Sequence, residues 1–208
     1  MKKIALEIRD LSIGHKGTPL YTDITFDIYE GDCILLCGAN GSGKTTLLKS
    51  LAELKRDTEI VMIPTRIPKV KGFTLREFIH LSCNRYSHAD PEHGMSLLSI
   101  SSLADRDIST LSDGEFQKGT IAAALARHAG IILLDEPTAF LDAENRRMVL
   151  RTLREICEET SVSVVFSSHD LHESISVCNK VLALGADGIF RCSENDLEAT
   201  ISSIFTKH

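Results

Sequence analysis

No stretch of this 208-residue chain is apolar for long enough to cross a bilayer; runs such as Ile131-Ile132-Leu133-Leu134 fall far short of the roughly 20 residues a membrane helix needs. The Met1-Lys2-Lys3 start is followed by no signal-peptide core. The chain by itself is therefore expected neither to enter nor to cross a membrane. Positive charge is also scarce: 23 Lys and Arg against 29 Asp and Glu leave a net charge of -6, with no basic tract and no long coiled coil. Such a surface has no overall drive toward nucleic acid, and no nucleic-acid partner is expected. The six cysteines (Cys33, Cys37, Cys83, Cys157, Cys178, Cys192) include no CxxC pair, which argues against a zinc site or a disulfide framework and for reduced, intracellular thiols. Neither a Pro/Gly/Ser excess nor a charge excess is present to keep the chain disordered. With 43% hydrophobic residues, its length suits a single domain with a sizeable core.

What is present is patterned. Up to Ile28, short alternating segments such as Ala5-Leu6-Glu7-Ile8 and Ile24-Thr25-Phe26-Asp27-Ile28 predict half-buried strands in an antiparallel edge region. After Gly31 the pattern changes to continuously apolar strands followed by helices: 33–37 then 44–54, 131–134 then 143–158, and 162–166 then a helix near 171–177. That alternation indicates an α/β fold with a mainly parallel sheet covered on both faces. Residues 66–128 read as a helical insertion. Thr74-Leu75-Arg76-Glu77 has capping-box spacing, and Asp90 stands before Pro91 as an N-cap before a proline at the first helical position.

Gly38-Ala39-Asn40-Gly41-Ser42-Gly43-Lys44-Thr45 matches GxxxxGK[ST] between a buried strand and a helix, the context that gives the pattern meaning. Glycines let backbone N–H groups turn toward phosphates, and the helix N-terminus adds positive partial charge. Lys44 reaches the β- and γ-phosphates, Thr45 offers a hydroxyl to Mg²⁺, and Thr46 follows them among the nucleotide contacts. The alternative is a glycine-rich strand-to-helix turn with a surface lysine, a match that arises by chance in on the order of one chain in a hundred of this length.

Asp135 and Glu136 end a buried strand, where open parallel sheets bind ligands. Two adjacent acids there are costly without a cation, so Asp135 is expected to hold Mg²⁺ and Glu136 to orient and activate the attacking water. Alone, the pair could be a strand-ending turn before Pro137. His169 follows another apolar strand and is placed to hydrogen-bond a γ-phosphate. A metal role with His172 is weaker, because a lone HxxH lacks a third ligand.

Leu111-Ser112-Asp113-Gly114-Glu115 resembles the signature sequence of ABC ATPases. In its own right it is a capping box, Ser112 with Glu115. The phosphate loop, this signature, Leu133-Leu134-Asp135-Glu136-Pro137, Phe140-Leu141-Asp142 and His169 occur in the family's order, together spanning 38–169. The resemblance implies a P-loop NTPase fold with an N-terminal antiparallel β edge. Residues 1–65 and 129–208 would form a RecA-like core, and 66–128 a helical subdomain. It further implies an MgATP-driven head-to-tail homodimer: Ser112, Gly114 and Glu115 face the nucleotide of the other copy, and Asp142 links the two subunits. The expected function is to energise separate transmembrane permease subunits from the cytoplasmic face of the membrane, in the style of iron-siderophore, haem or cobalamin importers. Residues 66–110 are the expected docking surface. A soluble, nucleotide-switched scaffold, as in iron-sulfur cluster assembly, is the alternative.

Three positions depart from the family's pattern. Thr65 stands where a glutamine usually touches Mg²⁺, and its single short hydroxyl replaces the amide only in part. Asp113 replaces a glycine and brings negative charge toward phosphate unless it turns outward or caps the helix. His15 takes the place of an aromatic that stacks on adenine.

Overall fold

A computed structural model describes residues 2–15, 18–54, 58–83 and 89–205; the side chains of His15 and of residues 203–205 lie outside the described set. The alternating N-terminal segments form one long antiparallel hairpin, β1 (Ile4–His15) and β2 (Thr18–Tyr29). The hairpin is a two-stranded sheet of its own and does not extend the core sheet. The reason is amphipathicity: a period-two pattern buries one face, and Leu6, Ile8, Ile13, Ile24, Phe26 and Ile28 all point into the core. Lying flat on the core sheet covers that face completely. Tyr21 fastens the hairpin there by donating its hydroxyl to the Gly185 carbonyl at 2.8 Å.

The chain then runs β3 (Cys33–Gly38), α1 (Lys44–Ala52) and β4 (Ile60–Ile63). The helical insertion follows as α2 (Leu75–Cys83), α3 (Pro91–Leu97) and α4 (Asp113–Ala126). Both foreseen helix starts are found. Glu77 accepts from the Thr74 N–H while Thr74 Oγ1 accepts from the Glu77 N–H, and Asp90 accepts from the His93 N–H ahead of Pro91. The core resumes with β5 (Ile131–Leu134), α5 (Ala143–Glu159), β6 (Ser163–Ser167) and α6 (Leu171–Ile175). Beyond the elements read from sequence, the structure adds β7 (Lys180–Leu184), β8 (Phe190–Ser193) and α7 (Leu197–Phe205).

The six-stranded sheet has the order β4-β5-β6-β3-β7-β8, parallel except for β8, which pairs antiparallel to β7. Each strand sends alternate side chains to two cores. Ile34 and Leu36 of β3 meet the hairpin and α1, whereas Cys33, Leu35 and Cys37 meet the helices on the other face. Burial on both faces is why these strands read as unbroken apolar runs. α4 is buried nearly all round, from Phe116 through Ile121 to Ala126, because α2 and α3 pack on one side of it and the sheet lies beneath. The described cysteines are all free thiols, five buried and Cys192 exposed.

The order places β3 at the centre, with β6 on one side and β7 on the other. The chain segments leaving the carboxyl ends of β3, β5 and β6 therefore converge, and the functional side chains are built there.

Candidate active site

The loop from β3 to α1 has the backbone a phosphate cradle requires. Gly41 has φ 77° and Gly43, the residue before the first turn of α1, has φ 100°, a region L-residues enter at a cost. A Cβ on Gly41 would meet nothing within 4 Å, so conformation rather than crowding demands glycine there. Lys44, only 7% exposed, donates to the carbonyls of Gly38 at 2.9 Å and Ala39 at 3.1 Å. The Ser42 hydroxyl is buried without a hydrogen-bond partner, a cost of about 1–3 kcal/mol. A phosphate oxygen entering the loop offsets that cost, so the residues present fit a nucleotide.

The carboxylates at the end of β5 are tightly held. Asp135 accepts from Thr45 Oγ1 at 2.8 Å and from Ser167 Oγ at 2.9 Å, and the same Ser167 hydroxyl accepts from the Glu136 N–H at 2.8 Å. Glu136 adopts φ 54°, an uncommon conformation for a non-glycine residue, which aims its carboxylate toward His169 Nε2 at 2.7 Å. Burial pushes the Glu136 carboxyl above the ordinary range, with Asp135 adding to the rise while His169 and Lys44 oppose it. Among the described residues no three His, Cys, Asp or Glu side chains gather as a metal cage. Thr45 and Asp135, with Thr65 lining the same cleft, suit Mg²⁺, which takes one or two protein oxygens and completes its shell with phosphate and water.

These groups line one cleft of about 860 Å³, a size in the range of ligand sites. Asn40, Gly41, Gly43, Lys44, Thr45 and Thr46 form one wall, and Thr65, Asp135, Glu136 and His169 the other. Gly38 contributes its carbonyl to Lys44 at the loop's base. The base contact expected at His15 falls on a side chain outside the described residues, and Leu20 of β2 lines the cleft instead.

Ser112, Gly114, Glu115 and Asp142 are not part of this cleft. Ser112 and Glu115 form the reciprocal capping box of α4, and Gly114 lets α4 pack on α5, since a Cβ would fall 2.4 Å from Asn145 Oδ1. Asp142 caps α5 by accepting from the Asn145 N–H at 2.8 Å. Asp113 turns outward, its side chain 65% exposed and 2.6 Å from Lys69 Nζ. Sequence reading does not single out Ser167, Leu20, Lys69 or Arg146, which lines the cleft while paired with Asp170. Only Ser167 carries a local signal, as a hydroxyl at the end of an apolar strand two residues before His169.

Residues 21–139, more than half of the chain, match the family profile described as ABC transporter. The chain belongs to that family. The zinc import ATP-binding protein ZnuC of Ruegeria sp. is 27% identical, over 86% of this chain and 76% of its own length. The petrobactin import ATP-binding protein FpuD of Bacillus anthracis is also 27% identical, over 86% and 77%. An ABC transporter of metal-chelate type, solved in an inward-facing conformation, superposes with a TM-score of 0.83 at 24% identity, covering 98% of this chain and 89% of that one. The protein is thus an ABC-type ATPase that binds ATP.

In this ABC ATPase the Ser167 hydroxyl touches both halves of the acidic pair. We predict that Ser167→Ala lowers kcat roughly 10- to 100-fold with little change in KM, because orienting partners of catalytic ligands carry effects of that size. Steady-state ATPase kinetics check it; a kcat within twofold of wild type refutes the role.

Proposed function

We propose that the chain is the ATP-hydrolysing subunit of an ABC importer and works as a head-to-tail homodimer. The observation that carries this reading is the separation of the motifs. The cleft holds the phosphate loop, the acidic pair and His169, while Ser112, Gly114, Glu115 and Asp142 face elsewhere. A two-fold dimer brings one copy's signature to the other's phosphates, adding donors from the N-terminus of α4, a 14-residue helix.

In that arrangement Lys44 and the loop N–H groups hold the β- and γ-phosphates, and His169 hydrogen-bonds the terminal one. Glu136 orients the attacking water and takes its proton. Thr45 and Asp135, with Thr65, would hold Mg²⁺, which would neutralise charge on the phosphate oxygens. Closure around ATP and reopening after hydrolysis have different affinities for the two states of a partner, and this difference does the work.

No helix among the described residues is long and apolar enough to cross a membrane, and in this reading a separate permease provides the passage. The helical subdomain, residues 66–128, offers the docking surface within 66–110, supported by exposed Val70, Phe73 and Leu81. The chain then sits peripherally on the cytoplasmic face. For cargo we propose an iron chelate, haem or cobalamin; the relatives at 27% identity are named as petrobactin, cobalamin and zinc import proteins alike.

Mixing tests the dimer. Lys44→Ala and Ser112→Glu chains are each expected to be inactive, yet a 1:1 mixture should regain about one quarter of wild-type ATPase activity, because half the dimers carry one intact site of two. A mixture as inactive as its parts rules out shared sites. Purification of the native protein from detergent-solubilised membranes should bring down a multi-span partner; recovery with soluble proteins only would favour the scaffold alternative.

A further inference from the structure

The family's glycine is replaced by Asp113 at the very turn that, in the dimer proposed above, faces a nucleotide triphosphate. A carboxylate turned toward that phosphate opposes anion binding by Coulomb repulsion, and the pairing with Lys69 holds it outward. The structure brings a cation to meet it. Lys69 lies on the segment after β4, 44 residues earlier in the chain, and its ammonium donates to Asp113 Oδ1 at 2.6 Å and to the Leu111 carbonyl at 2.8 Å. The same ammonium stands 5.6 Å over the Phe116 ring, so three groups around the signature turn hold it. Its side chain is 23% exposed against 65% for Asp113. Lys69 is therefore fixed against the protein surface rather than extended into solvent.

A second cation flanks the turn. Arg106 reaches Glu115 Oε1 at 3.3 Å and donates to the Thr110 carbonyl at 2.9 Å. Glu115 is already satisfied by the Ser112 N–H through the capping box. Among the described residues Asp113 has no such backbone partner, and Lys69 pairs with it and offsets its charge.

We propose that Lys69 is a positioning residue for the trans nucleotide site: by neutralising Asp113 and gripping the Leu111 carbonyl, it keeps the N-terminus of α4 receptive to the partner's terminal phosphate. Asp113 and Lys69 form one unit that stands in for the family's glycine. The unit is charge-neutral, whereas Asp113 alone is not. This rests on the head-to-tail reading.

The test is a double-mutant cycle read by ATP-dependent dimerisation, in the Glu136→Gln background, and by KM against kcat in the Glu136 background. Lys69→Met is expected to weaken dimerisation and raise KM about tenfold per site, through an uncompensated charge near phosphate, and to make both strongly salt-dependent. Adding Asp113→Gly to Lys69→Met should restore both to within about twofold of wild type. A Lys69→Met chain that dimerises like wild type overturns the proposal, as does a double mutant no better than Lys69→Met. Failure of the dimer reading itself is distinct: Glu136→Gln with Lys69 and Asp113 intact would stay monomeric in MgATP.

Discussion

Glu136→Gln is expected to lower kcat about 10²- to 10³-fold while leaving ATP binding intact, so that the chain accumulates as an ATP-bound dimer. The amide keeps the length and the hydrogen bond toward His169 Nε2 but cannot take a proton from the attacking water, and general-base removal carries losses of this order. The fold tolerates the change. Glu136 is mostly buried, with its carboxyl pushed up by that burial, so a neutral amide relieves a cost the active site bears. The melting temperature of the variant without nucleotide should therefore equal or exceed that of wild type. Phosphate release, light scattering in MgATP and thermal unfolding together check it. Retention of more than a tenth of wild-type kcat would remove Glu136 from the role of base.

The second large effect is on stability. Lys180, at the start of β7, is 1% exposed and its ammonium donates to the Asp27 carbonyl at 2.7 Å, to Asp32 at 3.1 Å and to Glu194 at 2.8 Å. Asp32, equally buried, also accepts from the Tyr29 N–H and the Asn179 amide. Burial alone would raise the Asp32 carboxyl, yet these donors and Lys180 hold it below its usual 3.8. Lys180→Met removes the buried cation from Asp32, leaving it the more exposed Lys2 at 3.1 Å, and is expected to destabilise the fold by about 3 kcal/mol, lowering the melting temperature by roughly 10 °C.

The pH dependence has a definite sign. A depressed carboxyl contributes stability that is present above its unfolded value of 3.8 and is lost as pH falls through the lower folded value. The gap between wild type and Lys180→Met should therefore be widest near neutral pH and narrow on acidification below about pH 4, because a protonated Asp32 needs no cation. Thermal melts at pH 7 and at about pH 3 or lower decide the matter. A gap that stays constant would mean that Lys180 acts through packing alone.

Much of the architecture was legible because it is written locally. Unbroken apolar runs gave the parallel strands β3, β5 and β6, and the capping residues Thr74, Asp90 and Ser112 marked helix starts that the structure keeps. The phosphate loop was readable for the same reason: one strand, one turn and one helix start lie within a few residues of each other. Less legible was where the N-terminal hairpin goes, since a period-two pattern says which face is buried and not what covers it. The strands after Val177 were missed too, although Lys180–Leu184 is buried throughout and pairs with the central strand.

Sequence by itself determined the candidate chemistry of this ABC ATPase: the loop glycines, Lys44, Thr45, the acidic pair and His169, each the residue type that a phosphate or a cation would demand of its immediate neighbours. Tertiary structure alone decided which distant groups hold that chemistry in place. Ser167 reaches Asp135 across 32 residues, Lys69 reaches Asp113 across 44, and Lys180 reaches Asp32 across 148. Such pairs depend on the strand order and on how the helical insertion lies against the core, and no periodicity within one segment encodes either.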